Sequence, residues 1–202
     1  MQKRSLRVTK GHNRFVVAIT GTPGAGKSRL AKLICKKCKC TGVVELSELA
    51  IKRKLLVGKD KFGSGIVDIA GLEKIMKRYI ATNSGLILIV GHLAPELDIW
   101  FDMAIVVRAD LKKLARRLER RKYPKEKTRE NIISEAYDYC GKNMLGKATE
   151  VLEIETGKDA ERLVKYVCQK SNRVYAKRQI TVQIDKFGQL LDMIRSGNRY
   201  GL

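Results

Sequence analysis

The stretch Phe15-Val-Val-Ala-Ile-Thr-Gly-Thr-Pro-Gly-Ala-Gly-Lys-Ser28 decides the fold. Its first five residues are apolar, and the run stops at Thr20, where a Gly/Pro loop begins. A short run with no polar interruption suits a strand buried on both faces, as in a parallel sheet. The eight residues from Gly21 to Ser28 then follow G-x-x-x-x-G-K-[ST] without a mismatch. Glycines at such positions let the backbone bend until successive N–H groups converge on an anion. A helix opening near Lys27 adds its positive end. Lys27 has the reach for the β- and γ-phosphates of a nucleoside triphosphate, and the Ser28 hydroxyl is the expected Mg²⁺ ligand. ATP is the expected ligand.

Outward from this loop, apolar runs and helical stripes alternate. Leu30, Ala31, Leu33 and Ile34 predict a helix after the loop, and Val43-Val44 a short strand followed by a helix from near Ser47. The glycines and lysines of Gly58 to Gly65 read as a loop, and a helix is expected from about Gly71 to Thr82. Leu86-Ile-Leu-Ile-Val90 and Met103-Ala-Ile-Val-Val107 are buried-strand patterns, and Asp110 is a natural N-cap for the helix carrying Leu111, Leu114 and Leu118. Val151 to Ile154 predicts a last strand and Ala160 to Gln169 a last helix. The alternation implies an α/β fold: a central parallel sheet with helices on both faces, in three layers. Residues 1–13 form a basic arm, 14–170 the domain, and 171–202 a basic appendage.

The 202 residues are 44% hydrophobic and 31% charged, the balance of a folded soluble chain. No apolar run approaches the roughly 20 residues that span a bilayer, and the first thirteen residues lack the apolar core of a signal peptide. A cytoplasmic protein without a membrane partner is expected. The 42 Lys+Arg against 21 Asp+Glu give a formal net charge of +21, which points to phosphate-rich partners such as nucleic acids, because neutralising phosphates releases counterions. The appendage contributes: from Arg173 to Arg199 six cations face two carboxylates. Five cysteines, an odd number, argue against a closed disulfide framework. Cys35, Cys38 and Cys40 read as small apolar filler in the first helix, with a metal site as the alternative that lacks a fourth ligand.

The motif order narrows the reading. Gly-Thr-Pro-Gly-x-Gly-Lys-Ser, Ile66-Val-Asp68, Gly91-His92, Trp100-Phe-Asp102, Val107-Arg-Ala-Asp110, Leu118-Glu-Arg-Arg-Lys-Tyr123, Asn131-Ile132 and Glu153-Ile-Glu-Thr-Gly-Lys158 resemble the atypical adenylate kinase family of archaea and eukaryotic nuclei. The resemblance covers about Phe15 to Gln169. It implies a nucleoside monophosphate kinase fold, adenylate kinase and ATPase activity on Mg-ATP, and AMP as acceptor. It also implies a role in small ribosomal subunit maturation, with a platform ribosomal protein and rRNA as partners. Carried over, Gly21, Gly24, Ala25, Gly26, Lys27, Ser28 and Arg29 match the ATP-phosphate loop. Arg121 matches the lid arginine, with Arg117 one turn earlier as a second. Lys158 falls beside the adenine, Ser28 on the metal and His92 in the second catalytic motif, with Asp68 as the acid on which the metal leans where the family's own acid is missing. The acceptor-binding region spans about 44–66 and the lid about 120–130.

Two departures stand out. The family carries an acid two residues before the histidine, where this chain has Val90. It also carries an arginine just after an acidic-Leu-Ala segment, where this chain reads Glu48-Leu-Ala-Ile51 with Lys52 and Arg53 displaced. The intact loop and lid favour a kinase that makes ADP from ATP and AMP with slow hydrolysis. Val90 and the net charge favour a nucleotide-switched assembly factor with vestigial chemistry. A kinase for another small acceptor is the third alternative.

Overall fold

The computed structural model describes residues 14–155 and 160–172. Elements follow in the order β1 (Arg14–Thr20), α1 (Lys27–Cys38), β2 (Gly42–Glu45), α2 (Leu46–Lys52), β3 (Leu56–Lys59), β4 (Gly65–Val67) and α3 (Ile69–Thr82). After them come β5 (Gly85–Val90), β6 (Met103–Arg108), α4 (Leu111–Arg120), α5 (Lys125–Ala136), α6 (Tyr139–Met144), β7 (Val151–Glu155) and α7 (Ala160–Ser171). Five strands form one parallel sheet in the order β2-β5-β1-β6-β7. The strand that feeds the glycine loop is therefore central, flanked on both sides.

Side-chain alternation along β1 builds two cores. Phe15, Val17 and Ile19 pack with Leu30 and Ile34 of α1, Leu114 of α4 and Val164 of α7. Val16 and Ala18 face the other way, onto Leu72 and Met76 of α3 and Met144 of α6. Apolar residues on both faces explain why the strand sequence has no polar member. The expected strands and the helices α1, α2, α3, α4 and α7 all form. Asp110 caps α4 by accepting from the Lys113 amide at 2.9 Å.

Three departures from the sequence reading have physical causes. Gly58 to Gly65 is not a plain loop, because β3 and β4 pair antiparallel, with Leu56 opposite Val67 and Lys59 opposite Gly65. Asp60 closes the turn, its Oδ1 accepting from the amides of Phe62 and Ser64 at 2.8 Å each, and Gly63 takes φ +79°. Second, α5 and α6 fill the segment after α4, with Ile132 and Ala136 pinning α5 against Leu111 and Ala115. Third, the odd cysteine count hides two disulfides, Cys35–Cys40 and Cys38–Cys168. Lys39 ends α1 in the left-handed region at φ 53°, which turns the chain back so that Cys40 lies beside Cys35, with 4.6 Å between their Cα atoms. Cys168 reaches Cys38 from α7 at a Cα separation of 5.0 Å. All four pack against the core, as filler would, but as pairs, and Cys140 is the free, buried thiol. Denatured without reductant, the oxidised protein is expected to show one reactive thiol, and five after reduction. Five without reductant would exclude both bridges.

Among the described residues no helix is long and apolar enough to cross a membrane. The expected arm at 1–13, Lys158, and the appendage from Arg173 lie outside the described residues.

Candidate functional site

The loop leaves the C-terminal edge of the sheet, where ligands of open α/β folds gather. Gly21 (φ 134°), Gly24 (φ 90°) and Gly26 (φ 114°) all lie at positive φ. At Gly21 a Cβ would collide with the Val107 carbonyl oxygen of the neighbouring strand. At Gly24 it would press on Leu114 and Leu118 of α4, at 3.1 and 3.2 Å. Glycine is thus required both by backbone conformation and by close packing. Gly26 is the N-cap of α1 and brings no side-chain acceptor, leaving the first-turn amides to an anion. Ser28 and Arg29 stand exposed in that turn.

Lys27 folds back on the loop, its Nζ donating to Gly21 O at 2.7 Å and Thr22 O at 3.0 Å. Burial lowers its pKa from 10.5 to about 8, against the raising influence of Cys140, Glu45 and Glu135, and Arg121 lowers it further. The lysine therefore occupies a dry, anion-seeking position, and the exposed Arg121 at the end of α4 is within electrostatic reach of it. Arg117 has a different post. Its Nη1 donates to the carbonyls of Gly24 and Ala25 at 3.1 and 3.3 Å, so α4 clamps the loop directly.

Behind the loop lies a buried polar network that sequence reading missed. Thr22 Oγ1 donates to Glu135 Oε2 at 2.6 Å. Glu135 Oε1 accepts from Arg108 Nε at 2.9 Å and the Ala109 amide at 3.0 Å. The Arg108 guanidinium, only 1% exposed, also meets Asp138 at 2.6 Å and Glu153 at 3.5 Å. The network ties the loop, the end of β6 and the helix α5 into one unit. Its only sequence signal is an arginine ending an otherwise apolar strand.

From the loop opens a cleft of about 890 Å³, walled by Thr22, Ser47, Ile66, His92, Lys127 and Asn131 among others. The β3–β4 hairpin supplies one wall and α5 another. His92 follows β5 and lines the cleft, with part of its surface exposed. Desolvation by the cleft walls, then the charges of Lys27 and Lys127, lower its pKa from 6.5 to about 4. It is a neutral imidazole at physiological pH. Asp68 caps α3, its Oδ1 accepting from the Gly71 amide at 3.0 Å, while its neighbours Val67 and Ile69 line the cleft. Val90 is fully buried at the end of β5. Lys52 and Arg53 are exposed at the end of α2, outside the cleft wall.

These features fit a triphosphate: converging amides, a helix N-terminus, a desolvated lysine and a nearby arginine. Among the described residues no three or more carboxylate, thiol or imidazole ligands form a metal cage. Magnesium in phosphoryl-transfer sites is held largely by phosphates and water, so one hydroxyl such as that of Ser28 fits that mode.

A glycine loop of this form at the end of the central strand of a five-stranded parallel sheet defines a P-loop kinase-like protein. Residues 17–138 match the family described as an AAA domain, and the chain belongs to that family. Among its relatives, a Methanococcus maripaludis protein named "Putative adenylate kinase" is 34% identical over 158 residues, 74% of this chain and 84% of the relative. A Pyrococcus furiosus protein of the same name is 29% identical over 185 residues, 91% of this chain and 99% of its own. Shikimate kinase from Bacteroides thetaiotaomicron superposes with a TM-score of 0.50 at 16% identity, over 77% of this chain and 97% of that one. At that identity the likeness speaks for the fold alone.

Proposed function

We propose that this chain transfers the γ-phosphoryl group of Mg-ATP to AMP, forming two ADP. The observation that carries the reading is the cleft of about 890 Å³ that opens from the P-loop itself, with Thr22 and Pro23 in its wall. A donor site with an acceptor-sized cleft at its phosphate end suits in-line transfer. An oxygen of the acceptor phosphate attacks the γ-phosphorus, and the bond to the β-phosphate oxygen breaks. Lys27 and Arg121 stabilise the charge that spreads over the transferring group. Arg117 and the Thr22–Glu135 bond keep the loop in shape. Ser28 would offer its hydroxyl to a magnesium ion, which would supply charge neutralisation for the phosphates. His92, neutral, donates or accepts a hydrogen bond at the reacting end without adding charge. The names of the archaeal relatives support AMP as acceptor.

A second reading rests on two observations, Val90 and the charge of +21. In it, slow ATP hydrolysis switches a factor bound to the small ribosomal subunit, through a platform ribosomal protein and rRNA. One assay separates the two: AMP-dependent ADP formation measured beside AMP-independent phosphate release. The kinase reading expects the first to dominate, and AMP-independent release alone would overturn it. Val90→Asp sharpens the test. Restoring an acid at the end of β5 should raise AMP-independent hydrolysis at saturating Mg²⁺, and lower stability by more than the about 1–3 kcal/mol of a buried neutral polar group, because a carboxylate carries charge. Unchanged hydrolysis in a folded variant would show that the position does not serve the metal.

A further inference from the structure

The acceptor reading leaves a gap in the charge balance of the cleft. A monophosphate acceptor needs a cation, and Lys52 and Arg53 lie outside the wall. Among the described residues that do line the cleft, Lys127 is the one lysine or arginine. Resting on the reading above, we propose that Lys127 binds the acceptor's phosphate and so selects monophosphates over unphosphorylated acceptors.

The geometry favours this post. Lys127 stands in the first turn of α5, its side chain one-fifth exposed. Its charge acts on His92, and so does that of Lys27. The two ammonium groups therefore serve one space, with the histidine sensing both. Lys27 belongs to the donor phosphates, which leaves Lys127 for the acceptor. Without ligand, Lys127 Nζ is held by Asp60 Oδ2 at 3.1 Å and Glu130 Oε2 at 2.8 Å, and lies 5.3 Å from the centre of the Phe62 ring. An ammonium has three donors, so a phosphate oxygen can join or replace a carboxylate. Asp60 is the natural one to be displaced. Its other oxygen is fixed by the Phe62 and Ser64 amides, so the turn survives loss of the lysine. The contact also links the hairpin turn to α5, so a phosphate taking Asp60's place would sit between the two elements.

The competing role is a plain strap between hairpin and helix, and two variants separate them. Lys127→Met removes strap and cation together. Asp60→Asn weakens the strap and keeps the cation. Calorimetric titration with AMP and with adenosine, on folded protein checked by melting, reads the difference. The wild type should bind AMP more tightly than adenosine. Lys127→Met should weaken AMP binding about 10- to 100-fold, the range for hydrogen bonds to a charged group, and leave adenosine unchanged. Asp60→Asn should bind AMP as well as the wild type or better, and Lys127→Arg should retain the preference. Equal loss of AMP and adenosine in Lys127→Met, or an Asp60→Asn variant as weak as Lys127→Met, would assign a strap and overturn the proposal. A wild type that binds AMP no better than adenosine would also overturn it. The kinase reading fails separately: the expected binding pattern without AMP-dependent ADP formation leaves the phosphate subsite standing and removes the reaction.

Discussion

Lys27→Ala is expected to reduce ATP turnover by about 10³-fold or more, the scale on which a single cation aimed at a transferring phosphoryl group acts. The fold should survive, because the Nζ contacts are the carbonyls of Gly21 and Thr22, which water can take over. Without nucleotide, the variant should melt at or above the wild-type temperature near pH 7. The sign follows from the depressed pKa. The unfolded lysine holds its proton up to about 10.5 and the folded one only to about 8, so folding releases a proton between those values. Wild-type stability from this group is therefore greatest above about pH 10.5 and is lost as pH falls through about 8. The alanine variant lacks that loss, and its margin over the wild type should close as pH rises through the window. Melting curves from pH 7 to 10.5, with and without ATP, measure both effects. A variant with full turnover would remove the P-loop claim.

Arg108→Ala should be the most destabilising single change in the site. It takes the guanidinium away from Glu135 and Glu153, 2% and 3% exposed, and from the mostly shielded Asp138. Removing one partner of a buried ion network costs about 3–5 kcal/mol. In a chain of this size that is a fall of roughly 6–20 °C in melting temperature. Function should suffer too, because Glu135 then loses its fixed position and with it the bond to Thr22 of the loop. A melting temperature within 2 °C of wild type would mean that the network does not support the fold.

The legible parts of this protein are those in which chemistry and periodicity coincide. The loop from Gly21 to Ser28 reads directly because only glycine tolerates its backbone and its close contacts with Val107, Leu114 and Leu118. The strands read as apolar runs because both faces of the sheet are covered. Helix α5 does not read, for the opposite reason. Its inward stripe is Thr128, Asn131, Ile132, Glu135 and Ala136, a helical spacing written mainly in polar letters. No hydrophobic period betrays a helix whose buried face serves a polar network. The hairpin was hidden by glycines, and the Cys38–Cys168 pairing by a separation of 130 residues. The cleft is built largely from α5 and the hairpin, elements that no hydrophobic periodicity in the sequence marks.

The Cys38–Cys168 bridge has a mechanical consequence. It joins the end of the first helix to the last described helix, so the oxidised chain carries a covalent ring enclosing most of the domain. Tension applied at the two ends of the chain loads β1, the P-loop and α1, then runs through the sulfur bridge and bypasses everything from β2 to β7, α5 included. About 130 residues, worth roughly 430–470 Å of extended chain, stay slack to the pull until the bond is reduced. A molecular motor drawing the oxidised protein through a narrow pore from one end would meet a doubled strand at the ring, and the reduced protein only a single one.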